Sequence, residues 1–101
     1  MDSPELSTLP LHDALLRSVT LAWERKVCQL DLLAFAQSGG SATPHVLEFC
    51  GVTSLVIPHN EPWGPSSSIN SVSCSRGLFR IEMQSGDIIE LAASHFTFAA
   101  L

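Results

Sequence analysis

Apolar and polar residues alternate with a period of two along most of this chain, and that rhythm suits a strand with one buried face far better than a helix. Val19, Leu21 and Trp23 stand on one side of a first run, with Thr20, Ala22 and Glu24 on the other. The pattern returns in Cys28, Leu30, Leu32 and Ala34, in Leu47 and Phe49, in Val72 and Cys74, in Phe79 and Ile81, in Ile89 and Leu91, and in Phe96 and Phe98. Turn-forming residues punctuate these runs at the spacing of about eight to twelve residues typical of all-β domains. No stretch keeps a helical period for ten residues or so, the length a helix needs. The expected fold is all-β, an antiparallel sandwich or a partly open barrel of about eight short strands with little helix.

Turn chemistry suggests how neighbouring strands pair. If Arg25-Lys26 makes a two-residue turn, Glu24 faces Val27, Trp23 faces Cys28, Leu21 faces Leu30 and Val19 faces Leu32, which aligns the apolar faces. Gly51 interrupts the next run and marks a bulge or a tight bend before Val52 to Pro58. Ser75-Arg76-Gly77 supplies another turn. Farther on, a three-residue loop Gln84-Ser85-Gly86 sets Ile81 against Ile89, Phe79 against Leu91 and Arg80 against Glu90. A two-residue loop there would press Glu90 into the core opposite Ile81, a burial that costs several kcal/mol. Residues 1–10 read as a flexible N-terminal arm, residues 11–101 as a single β domain, and residues 37–44 as a flexible loop rich in Ser and Gly.

The totals exclude some roles. Five Lys and Arg against ten Asp and Glu give a net charge of -5, and the cations form no basic stripe, so nucleic acid is not an expected partner. No apolar stretch approaches the roughly 18 residues of a membrane-crossing helix, and the first residues lack the basic start of a signal peptide. Cys28, Cys50 and Cys74 are an odd number without metal-site spacing, and read as buried free thiols in a reducing cytoplasm. With 46% hydrophobic residues the chain is apolar enough to self-associate.

Glu61-Pro62-Trp63-Gly64-Pro65-Ser66-Ser67-Ser68-Ile69-Asn70 breaks most sharply with the alternation. Its prolines, glycine and serines make a long connection, and a long connection needs something to hold it. Trp63 is either the plug that folds the loop onto the sheet or an anchor for a partner. Trp63, Pro62, Gly64, Ser66 and Asn70 are the candidate interaction residues. His12-Asp13 is a weaker polar candidate, since imidazole beside carboxylate can serve as a base, although neighbours in an extended segment point to opposite faces. The structural alternative has Asp13 capping a turn and His12 packing at the rim. His45, His59 and His95 could gather at strand ends around a metal, and Cys50 could be a nucleophile beside a histidine, but no spacing requires either. No metal site, catalytic residue or cofactor is assigned.

Taken together, Leu11-His12-Asp13-Ala14, Phe49-Cys50-Gly51-Val52, the Trp63 loop and Glu82-Met83-Gln84-Ser85-Gly86-Asp87 resemble small bacterial all-β proteins of unassigned function, some similar to immunity proteins of toxin systems. The resemblance implies a cytoplasmic β protein and carries over no catalytic residue. Three functions follow as expectations: a non-catalytic protein-interaction module that binds a protein partner or itself, an immunity protein whose acidic surface meets a toxin, and a small-ligand binder or enzyme using His12 and Asp13.

Overall fold

In the computed structural model, residues 9–35 and 40–101 are described, and among them there are eight strands and no helix. The strands are β1 (Leu15–Ala22), β2 (Val27–Ala34), β3 (Thr43–Cys50), β4 (Ser54–Val56), β5 (Ile69–Ser75), β6 (Leu78–Met83), β7 (Ile88–Ala92) and β8 (His95–Ala100). They form two four-stranded antiparallel sheets, ordered β1-β2-β3-β8 and β4-β7-β6-β5. Most of the expected N-terminal arm, residues 1–8, and positions 37–39 of the expected loop over 37–44 lie outside the described residues. The loop's far end is already strand, because β3 begins at Thr43.

The alternation puts one face of each sheet into a shared core. Cys28, Leu30, Leu32 and Ala34 of β2 are buried, as are Leu47 and Phe49 of β3, and opposite them lie Phe79 and Ile81 of β6 with Ile89 and Leu91 of β7. Phe49 from one sheet and Phe79 from the other approach to 5.0 Å between ring centroids, and Phe96 of β8 closes the cluster edge-on to Phe79 at 5.7 Å. Such tilted contacts add to the area they bury.

The sheets are not separate. β3 pairs with β8 and β4 pairs with β7, so β3–β4 and β7–β8 are two arms of one bent ribbon that passes from sheet to sheet. The bend on the first arm is Gly51, at φ 67°, and the Ser94 N–H on the second arm donates to the Cys50 carbonyl at 2.9 Å. A β-carbon at Gly51 would collide with the Ser94 side chain, so both the positive φ and the close approach call for glycine. Of the two roles open to Gly51, the tight bend is the one it takes. Away from this corner, among the described residues, the start of β1 is joined to the start of β5 by the bridge Leu15 to Ser68 and by backbone bonds from the Ile69 N–H to the Ala14 carbonyl at 2.8 Å and from the Leu16 N–H to the Ser67 carbonyl at 2.9 Å. The fold is thus a sandwich with one closed corner and one pinned edge.

The hairpins differ in how well alternation forecasts them. β6 and β7 pair as expected, Ile81 with Ile89, Phe79 with Leu91 and Arg80 with Glu90, around Gly86 at φ 93°. The β5–β6 turn is Arg76-Gly77, both at positive φ. The β1–β2 register departs from expectation by two residues: Leu21 faces Cys28 and Val19 faces Leu30, with Trp23 to Lys26 forming a four-residue turn. A two-residue type I′ turn at Arg25-Lys26 would demand positive φ at both residues without any glycine, whereas the longer turn asks it of Lys26 alone, at φ 55°, and sliding by two keeps every apolar side chain on its face. A bulge at Arg17 then shifts the pairing again.

Candidate functional site

The loop from β4 to β5 is held from beneath by the β6–β7 turn. Asp87, 5% exposed, accepts the Asn60 N–H on Oδ1 at 2.8 Å, and the Glu61 N–H at 3.0 Å and the Ser85 hydroxyl at 2.8 Å on Oδ2. The Trp63 N–H donates to the Ser85 carbonyl at 2.9 Å. Burial raises the Asp87 carboxyl, but the Asn60 N–H, the Ser85 hydroxyl, the Glu61 N–H and the nearby His59 outweigh it and hold the group below the usual aspartate range. Within the loop, Glu61 turns at φ 49° and its Oε2 accepts the Ser66 N–H at 3.1 Å, while Ser66 Oγ accepts the Ser68 N–H at 3.1 Å.

This arrangement divides the two roles considered for Trp63. The plug is Asp87, a buried carboxylate bonded to backbone, and Trp63 is 71% exposed. The indole is nevertheless backed on one side: a β-carbon at Gly86 would lie 2.8 Å from Trp63 Cδ2 and 2.8 Å from Pro62 Cγ, so the bare Gly86 backbone is what lets the ring lie there. Gly64 turns the chain at φ 108°, and Ser66 is taken up in holding the loop's own backbone. Trp63 and Pro62 are the surface of this loop, and Gly64 and Ser66 are its frame.

Asn70 belongs elsewhere. Its Nδ2 donates to Glu82 Oε1 at 2.8 Å and its carbonyl accepts His12 Nδ1–H at 2.7 Å. The donor there is necessarily the ring nitrogen, because a carbonyl only accepts. Asp13 stands at φ 66°, so the segment is not extended, and the His12 and Asp13 side chains meet at 3.5 Å instead of pointing to opposite faces. Asp13 accepts Gln84 Nε2 at 2.7 Å rather than capping a turn, and His12 is 70% exposed rather than packed at a rim. This patch of His12, Asp13, Asn70, Glu82 and Gln84 ties the lead-in of β1 to β5 and β6.

The remaining candidates are dispersed. His45 is buried, donates Nδ1–H to the Thr43 carbonyl at 2.8 Å and stacks on Phe98 at 5.0 Å. His95 pairs with Cys50 at the other end of β3, and no group of three metal-ligating side chains comes together among the described residues. The Cys50 thiol donates to Glu48 Oε1 at 3.7 Å, and burial together with the Glu48 carboxylate pushes it up against the pull of Arg25, the opposite of what a nucleophile needs. Of the three thiols expected to be buried, Cys28 is, Cys50 is half-buried, and Cys74 is exposed, because it lies near the end of the edge strand β5.

A second surface was not visible in the alternation. Trp23, expected on a sheet face, sits in the β1–β2 turn and is 84% exposed. Beside it, a depression of about 400 Å³ is lined by Leu21, Trp23, Lys26 and residues 52–55. Another of about 310 Å³ lies between residues 16–19 of β1 and residues 57–59, with Met83 and Ile89 among its walls. The two follow one another along the gap between β1 and the β4 segment.

The molecule is an all-β protein of two facing antiparallel sheets, and no described helix is long and apolar enough to cross a membrane. No known family matches its sequence, and no curated protein does. Among solved structures it is similar in fold to the crystal structure of an uncharacterized protein from Neisseria gonorrhoeae, at 14% identity and a TM-score of 0.56, over 89% of this chain and 93% of that one. That likeness concerns the fold alone.

Proposed function

We propose that this chain is a small cytoplasmic protein-interaction module that offers Trp63 to a protein partner, a second copy of itself included. What carries the proposal is the pairing of exposure with rigidity: the indole is 71% exposed while its loop is fixed from below through Asp87 and Ser85. A pre-organised aromatic loses little freedom on binding, and large aromatics in such positions dominate interface energies. Three unpaired thiols are compatible with a reducing compartment.

The test is Trp63→Ala. Because Asp87 and not the indole holds the loop, the variant is expected to keep the far-ultraviolet circular dichroism and unfolding midpoint of the parent within a few degrees. Sedimentation velocity and affinity capture should show weakened association, by about tenfold or more if the indole is a hot spot. A parent that stays monomeric at every concentration and captures nothing that the variant does not would end the proposal.

A further inference from the structure

We propose that the gap between β1 and residues 52–59 receives an extended peptide as an added strand, and that the peptide it suits has alternating apolar side chains and carboxylates toward its ends. Ser66 and Ser67 of the Trp63 loop border one end of this site, but Trp63 and Pro62 do not line it, and the proposal does not depend on the indole. β1 is an edge strand: it pairs with β2 and, beyond the bridge at Leu15, residues 17–22 have no backbone partner on their outer side among the described residues. β4 is likewise an edge, paired with β7 alone. Alternate N–H and C=O groups of each therefore point into the gap, the arrangement that strand addition uses.

The two depressions show how the edges run. Residues 16–19 lie across from residues 57–59, and residues 21 and 23 lie across from residues 52–55, so the edges are antiparallel with an open channel between them. Edge strands are commonly blunted by charge, bulge or proline, and Arg17, the bulge beside it and Pro58 do this at one end of the channel, yet Leu21 and Ile57 on its rims are 40% and 45% exposed and Val56 of β4 is 55% exposed. Residues 17–22 span about 16 Å at strand rise, which fits a peptide of five or six residues better than a small molecule.

Charge selects the occupant. The chain is acidic overall, but three of its five cations, Arg17, Arg25 and Lys26, fall on β1 and its turn, against the single carboxylate of Glu24 in residues 15–26. Arg17 lines one depression and Lys26 the other, both are exposed, and neither makes an ion pair among the described residues. Among the residues that line the two depressions the carboxylate is Asp87, which is engaged by Asn60, Glu61 and Ser85. A peptide with acidic ends is the occupant that these two cations match.

The experiment is to pan a random decapeptide library displayed on phage against the full chain, then measure synthetic versions of the enriched peptides by fluorescence anisotropy. Enrichment of alternating sequences with terminal Asp or Glu is expected, with slowed amide exchange in the complex at Val19, Leu21 and Leu55, whose N–H groups face away from β2 and β7. Affinity should fall about tenfold in the Arg17→Glu/Lys26→Glu double variant, clearly in the milder Arg17→Gln, and not at all in Trp63→Ala. Enrichment of no peptide, or of peptides indifferent to both charge variants, overturns the proposal. So does concentration-dependent protection of the same amides in the protein alone, which would make the channel a dimer interface.

Discussion

The β1–β2 turn and the β6–β7 turn each have a tryptophan close by, and they are built in opposite ways. Trp63 comes from another loop, lies beside Gly86, and rides on backbone held by Asp87, whereas Trp23 belongs to its own turn and extends into solvent. The β6–β7 turn organises sequence from elsewhere; the β1–β2 turn organises only itself. An aromatic in a connection is therefore no guide to what holds the connection in place. In this molecule the holding is done by a short carboxylate that answers two backbone N–H groups at once, something an indole cannot do.

Four measurements bear on this contrast. Asp87→Ala is expected to cost the most, since it strands the Asn60 and Glu61 N–H groups and frees residues 57–68; thermal unfolding should show the largest fall in midpoint of the set, and the fluorescence of Trp63 should shift to the red. An Asp87→Ala variant as stable as the parent would remove the basis of the comparison.

Acid should act in the same direction. The folded Asp87 carboxyl lies below its unfolded value, so its contribution is complete above the unfolded pKa of about 3.9 and is lost as the pH falls through the folded one. Stability followed from pH 6 to pH 2 should show this loss in the parent, and Asp87→Asn should flatten that part of the curve. Gly86→Ala comes next: a side chain at φ 93° pressed against Pro62 and Trp63 should cost about 1–3 kcal/mol by chemical denaturation and displace the indole. Trp23→Ala should change stability by no more than about 0.5 kcal/mol, and a larger loss would mean that Trp23 has packing that its exposure does not suggest.

How much of this was legible varies with the kind of error that burial punishes. The β6–β7 register could be read because the rival loop would have buried Glu90, a penalty large enough to decide. The β1–β2 register could not, because a slide of two residues leaves every apolar side chain where it was, and only the absence of glycine at Arg25-Lys26 argued against the shorter turn. Nothing local brings His12 and Asp13 together, since an extended segment separates them and only the positive φ of Asp13 lets them meet. The loop's anchor lies outside the loop, in a small residue of another turn. A signal was present in Ser85-Gly86-Asp87, where an aspartate just past a glycine turn can turn its carboxylate toward passing backbone, but alternation alone places that residue in a strand and does not say what it accepts. The gap between β1 and β4 depends on how the sheets cross, and no local pattern encodes that.

The shared bend at Gly51 and Ser94 also sets an order of events. Neither sheet can be completed from the first half of the polypeptide, because β3 awaits β8 and β4 awaits β7, and those partners are about 45–55 and about 34–38 residues downstream. During synthesis β2 and β3 would emerge with one side uncovered, and the final strands would lock both layers in a single late step. Loss of β8 should therefore disable the corner that joins the layers, and with it the whole assembly.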